Sequence, residues 1–346
     1  KRVGDYVLHV GHVSHGAVAT GDECEVAVDS HRRAAIRAHH TATHLLNLAL
    51  RAVAGPESDQ RGSSVAADRL RFDYAANGPL DPAALEEIES RVNAAIAEGL
   101  EIHVGEAPLD LAQKVNTVRA VFGERYPDPV RMVAVGPTIL ELLEQPDDSR
   151  WLGQSVEFCG GTHLTKTAEA EDFVVLSEQG LAAGIRRVTA LAGKPARDAR
   201  LEAAELDEKL SAMESGDSTE SVDDLVRDFE SATISAVDRH SLGGRIEALR
   251  ATAKTVRKAA AAENRGAVVD SAREIAANSE GDAIVARIED ADKDALLSAM
   301  DAIRAARPDA AVLLLAADAD EGKVVIVAKV PDSLIARGLK AGDWVK

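Results

Sequence analysis

Apolar and polar residues alternate through the first thirty positions, "YVLHVGHVSHGAVATGDECEVAVD", with glycines as punctuation. A period of two predicts short antiparallel strands, read as part of a small β-barrel over residues 1–30. The period then changes. In "HRRAAIRAHHTATHLLNLALRAVAG", Ile36, His40, Leu45, Leu48 and Val53 recur at helical spacing until Gly55-Pro56. "SSVAADRLRFDYA" returns to strand character, and "DPAALEEIESRVNAAIAEGL" predicts a second helix with Pro82 near its start and Gly99 at its end. From 101 to 193 strand-like runs dominate, among them "VRMVAVG", "DFVVLSEQG" and "GIRRVTALAG". Two helices flanked by sheet segments predict an α+β domain over 31–193.

Residues 194–263 are rich in Ala, Leu, Glu, Arg and Lys, interrupted at "ESGDSTESVDD", which predicts a helical hairpin linker. Residues 264–346 read as a small C-terminal α/β domain. There "DAIVARI" and "AAVLLLAA" are strands flanking the helix "KDALLSAMDAIRAAR", and "KVVIVAKV" is a further strand. The expected fold class is α+β throughout.

Composition narrows the class. The chain is 46% apolar and 28% charged, with no apolar run long enough to span a bilayer. Two cysteines make no disulfide framework, which fits a reducing, cytoplasmic setting. The start at Lys1-Arg2-Val3 reads as a piece of a longer chain. The net charge is −18, with 18 Lys and Arg against 28 Asp and Glu up to residue 193 and 22 against 30 beyond it. An excess spread so evenly means that any nucleic-acid contact comes from local basic stripes.

The candidate chemistry lies in "HHTATH" and "CGGTH". His40 and His44 share a helix face and can grip one ion. Cys159 and His163, with two glycines freeing the backbone between them, form a plausible zinc turn. Thr41 stands where a zinc peptidase would carry its glutamate, so that activity is excluded. One thiolate and three imidazoles suit Zn²⁺. Four protein ligands lean toward a closed, structural site, and the spacing alone leaves structural and catalytic roles open. His39, about 100° away on the helix, is expected at the surface or behind the ligands. His9, His12, His15 and His31 are expected at the surface, and Cys24 as a small buried hydrophobe.

"RRAAIRAHHTATHLLNLALR", "RGSSVAADRLRFDY", "VEFCGGTHL" and "GLAAGIRRVTALAG" together resemble the alanyl-tRNA synthetase family, in its editing domain, in the right order over residues 1–193. The same domain occurs in free-standing relatives that edit in trans. Residues 194–346 resemble the family's helical linker and C-terminal domain without equally sharp motifs. The resemblance implies hydrolysis of tRNA(Ala) mischarged with serine or glycine. It also implies one Zn²⁺ on His40, His44, Cys159 and His163, and pocket roles for Thr43, Gln60 and Arg186 or Arg187. Read from its residue type alone, Thr43 is a helix hydroxyl bonding back to its own backbone.

The family's ATP-dependent aminoacylation core has no counterpart here, and the C-terminal domain reads as truncated. A cationic face with Arg250, Lys254, Arg257 and Lys258, beside an apolar seam of Ile246, Leu249, Ala253, Val256 and Ala260, offers either a solvated surface or a phosphate track for tRNA. Lys323, Lys329, Arg337 and Lys340 add positive charge to the last domain, where the family binds tRNA, and a homodimer through this region is a further expectation. The rivals are a free-standing trans-editing protein and a non-catalytic tRNA-binding module with structural zinc.

Overall fold

The computed structural model describes residues 2–4, 6–120, 124–218, 221–289, 291–318 and 323–345. The fold is mixed α+β with several sheets and, among the described residues, no closed barrel. The expected strands of residues 1–30 reduce to β1 (Arg2–Val3) and β2 (Tyr6–Val7), paired antiparallel. Val10, Val13, Val18, Val26 and Val28 are exposed, because an alternating segment becomes a strand only against a partner that covers its apolar face. Cys24 is exposed for the same reason, contrary to expectation, while His9, His12, His15 and His31 are exposed as expected.

Helix α1 (Ser30–Ala54) starts where the Asp29 side chain accepts a hydrogen bond from the Arg32 amide at 2.9 Å, and stops at Gly55. β3 (Gln60–Val65) and β4 (Leu70–Ala75) form a hairpin. α2 (Pro82–Glu98) is capped by Asp81, takes Pro82 in its first turn, and ends at Gly99 in the left-handed conformation. β5 (Ile102–Ala107), the short α3 (Leu109–Ala112), β6 (Val130–Val135), α4 (Ile139–Glu144) and β7 (Val156–Phe158) follow. β8 (Phe173–Ala182) and β9 (Ile185–Ala192) close this part. Two antiparallel sheets result, ordered β3-β4-β9-β8 and β5-β6-β7. Leu70, Phe72, Val175, Val188 and Ala190 of the first pack against Leu46 and Leu50 of α1 and Ile88 and Val92 of α2. The second has its own core around Met132, Leu142, Trp151 and Val156.

Among the described residues the helical run is three helices, not two: α5 (Lys194–Ser215), α6 (Val222–Ser231) and α7 (Ala236–Asn278). Of the expected apolar seam on α7, Ile246 is buried but Val256 is exposed. β10 (Ala283–Arg287), α8 (Lys293–Ala306) and β11 (Ala311–Asp318) make a parallel crossover, and β12 (Lys323–Lys329) pairs antiparallel to β11 before α9 (Asp332–Ile335) and α10 (Ala341–Trp344). Ile284, Leu296, Met300, Ile303 and Leu314 form the core of this part with Val268 and Ala272 of α7.

The chain divides into two compact units, one of residues 1–208 and 229–241 and one of 209–228 and 242–346. Among the described residues no helix is long and apolar enough to cross a membrane.

Candidate metal centre

α1 presents His40 and His44 one turn apart. The strand pairing of β7 with β6 carries the chain into the turn at Cys159, whose amide donates to the Arg131 carbonyl at 3.1 Å. The turn is then fastened to the helix. Thr41 Oγ1, between the two helical histidines, accepts from the Leu164 amide at 3.1 Å. Arg37 donates to the His163 carbonyl, and Arg131 to that of Cys159. Gly161 lies so close that a Cβ there would stand 2.0 Å from His40 Cε1. The glycine is required by a close approach.

The result is convergence. One donor atom from each of His40, His44, Cys159 and His163 lies within 4.8 Å of all the others. Cys159 Sγ is 3.4 Å from His40 Nε2 and 3.5 Å from His163 Nε2. His44 and His163 are buried, while His40 and Cys159 are half-buried, so the cluster has an accessible side. Burial, then the neighbouring His163 and His40, holds His44 well below the ordinary imidazole range. Burial likewise lowers His40 and pushes His163 down to about 3, and it raises the Cys159 thiol. Neutral imidazoles with free lone pairs beside a thiol are a donor set that fits a borderline-soft divalent ion such as zinc.

Behind the cluster sits a residue that the sequence reading passed over. Glu157, on β7, is pushed up to about 7 by burial and accepts from Asn47 Nδ2 at 2.9 Å. Its other oxygen lies 3.4 Å from His44 Nδ1. The signals were legible in spacing: Asn47 is three residues beyond His44 on the helix, and Glu157 two before Cys159 along an extended strand. Thr41 and Arg37, which pin the turn, had no comparable pattern.

Thr43 is buried and its hydroxyl donates to the His39 carbonyl at 2.8 Å. His39 is fully buried, with Nδ1 on the Ala35 carbonyl at 2.9 Å, so it is not a surface residue. Gln60 heads β3 and donates to Ser63 Oγ at 3.1 Å. Its register partner on β4 is Tyr74, whose own partner on β9 is Arg186, so the three share one face of the sheet. Tyr74 is in the core beneath the helices, so that face is the one α1 covers. Arg186 is bound to Glu178, which also accepts from the Tyr74 hydroxyl at 2.8 Å. Arg187 lies on the opposite face and pairs bidentately with Asp73 at 2.6 and 2.9 Å. In the other unit Arg250, Lys254, Lys329 and Lys340 are exposed, and Arg337 lies 3.4 Å from Asp282. The side chains of Arg257, Lys258 and Lys323 fall outside the described residues.

Comparison with known families gives the class first. Residues 130–189, which hold Cys159, His163 and both sheet arginines, match the second additional domain of threonyl and alanyl tRNA synthetases. The cytoplasmic alanine–tRNA ligase of Dictyostelium discoideum is 36% identical over 358 residues, covering 100% of this chain and 38% of that protein. That of Drosophila melanogaster is 34% identical over 357 residues, 99% of this chain and 37% of that protein. The mitochondrial alanine–tRNA ligase of Saccharomyces cerevisiae is 45% identical over 195 residues, 56% of this chain and 20% of its own length. The chain belongs to the alanyl-tRNA synthetase family, and it spans under two fifths of the length of the first two relatives.

Proposed function

We propose that this chain is the part of an alanine–tRNA ligase that hydrolyses the ester of tRNA(Ala) mischarged with serine or glycine. The observation that carries the reading is the convergence of His40, His44, Cys159 and His163 in a half-open cluster within a chain of this family. Zinc held by these four residues would supply a Lewis acid for ester hydrolysis. Hydrolysis needs no protein nucleophile: water adds to the ester carbonyl, the bond to the ribose oxygen breaks, and that oxygen takes the proton the water gives up. Serine or glycine and the free tRNA end are released.

Selectivity for serine over alanine requires a partner for one hydroxyl. Thr43 Oγ1 spends its proton on the His39 carbonyl and keeps lone pairs, so it is an acceptor waiting for a donor. Gln60 and Arg186, on the sheet face toward the helices, are assigned to the pocket side. Arg187, on the far face and paired with Asp73, is assigned to the framework. Exposed Arg250, Lys254, Lys329 and Lys340 are proposed phosphate contacts.

The test is ester loss from Ser-tRNA(Ala), Gly-tRNA(Ala) and Ala-tRNA(Ala) with this protein and with Cys159→Ala. Selective loss of the seryl and glycyl esters, absent in the variant, is expected. Thr43→Val should slow seryl release by about 10–100-fold, the discrimination one hydroxyl partner can supply, while zinc stays bound. Four protein ligands also fit a purely structural ion. That second reading is the outcome if all three esters survive and Cys159→Ala loses the fold.

A further inference from the structure

The ligand set leaves one question of orientation. A histidine has two ring nitrogens, and it ligates through one only if the proton sits on the other. His44 Nδ1 is buried, and among the described residues no acceptor meets it in full hydrogen-bond geometry. The Glu157 carboxylate lies 3.4 Å from it, at the outer edge of hydrogen-bond reach. Glu157 is itself held: Asn47 Nδ2 donates to its first oxygen at 2.9 Å and leaves the second turned to the histidine. Both partners are sheltered, Asn47 at 4% exposed and the Glu157 side chain at 13%.

We infer that Glu157, anchored by Asn47, is the positioning residue of the metal centre, taking the Nδ1–H of His44 so that Nε2 is presented to the ion. The spacing on each element supports this. Asn47 follows His44 by three on one helix face, and Glu157 precedes Cys159 by two on one side of an extended strand. Each element therefore brings a ligand together with half of the device that orients one. A carboxylate on the distal nitrogen fixes the tautomer and makes the ring a better donor. Arg119 faces the same carboxylate from the strand-like segment beside β7.

The conservative substitution separates positioning from packing. In Glu157→Gln the side-chain oxygen can still accept from Asn47, but the amide nitrogen now faces His44. A donor there favours the opposite tautomer, with the proton on Nε2, where the ion must bind. Zinc affinity, measured by competition with a chelating dye and without tRNA, should fall about 10–100-fold while circular dichroism of the metal-free protein is unchanged. Nitrogen NMR should show His44 protonated on Nδ1 in the parent and on Nε2 in the variant. Should Glu157→Gln not fold, Asn47→Ala, which frees the carboxylate without removing it, is expected to lose several-fold in zinc affinity.

Unchanged affinity and tautomer in Glu157→Gln overturn the inference, as does unchanged affinity in Asn47→Ala where that variant is the one measured. The inference rests on the metal centre of the proposed function but not on its chemistry. A protein that binds zinc in this way and cleaves no ester sinks the editing reading alone, and a parent protein that binds no zinc sinks both.

Discussion

Gly161 shares its space with an imidazole. A methyl group placed there would overlap His40 Cε1, whereas one on neighbouring Gly160 would meet nothing within 4 Å. Gly161→Ala is therefore expected to push His40 out of the cluster and cost about tenfold or more in zinc affinity, the scale on which ligand misplacement acts. Gly160→Ala should leave it unchanged, and zinc titration of the two variants decides the matter. The protonation states make a second prediction. Burial keeps the three imidazoles neutral at pH 7 and the Cys159 thiol protonated. Zinc must then displace about one proton, from sulfur, and binding should tighten by about tenfold per pH unit below the thiol's pKa. Calorimetry in buffers of different ionisation enthalpy counts the proton. A release near zero would mean that the thiol is already ionised or is not a ligand.

α2 carries a charge into the interface it makes with β8. Glu89 accepts from the Val175 amide at 2.7 Å and is pushed up to about 7, chiefly by burial. Its folded value lies above the unfolded one, so its contribution to stability is full below about pH 4.5 and is lost as pH rises through 7. Glu89→Gln should flatten the stability curve across that window and stabilise the protein at pH 8 by up to about 3 kcal/mol, as denaturant midpoints at pH 5 and pH 8 would reveal. An identical pH slope in the variant would show the carboxyl to be ionised in the fold.

At this scale the sequence reading succeeded where one element closes its own pattern. α1 and α2 were legible because their apolar stripes, caps and stops lie within the helix. It failed where the pattern needs a partner: the alternating residues 8–28 form no strand, and the seam of α7 runs out into solvent at Val256. The four convergent donors were readable because each pair is local. Their companions were not, since Glu157 acquires its role only from Asn47, 110 residues earlier.

Two kinds of candidate fall in different units of the chain. All four ligands lie in the unit of residues 1–208 and 229–241, while Arg250, Lys254, Lys329 and Lys340 lie in the other. Replacing Arg250 and Lys254 with alanine should weaken tRNA binding and reduce the salt dependence of its logarithm by about one per lost phosphate contact, while zinc content stays constant. A filter-binding salt titration measures this. An unaltered slope would return those cations to the solvated surface. Their exposure on a chain of net charge −18 makes the contrast readable.

His40 and Cys159 stand 119 positions apart in the chain yet meet across a single ion's width. The two halves cannot join until α1 has docked and the strands leading to Cys159 are paired, so closing that loop comes after the cost of ordering everything between. For the proposed zinc centre, metal loading is then the final act of assembly in this unit. The zinc content of a preparation becomes a gauge of how many chains have finished folding, and a chelator acts as a lever on the reverse process.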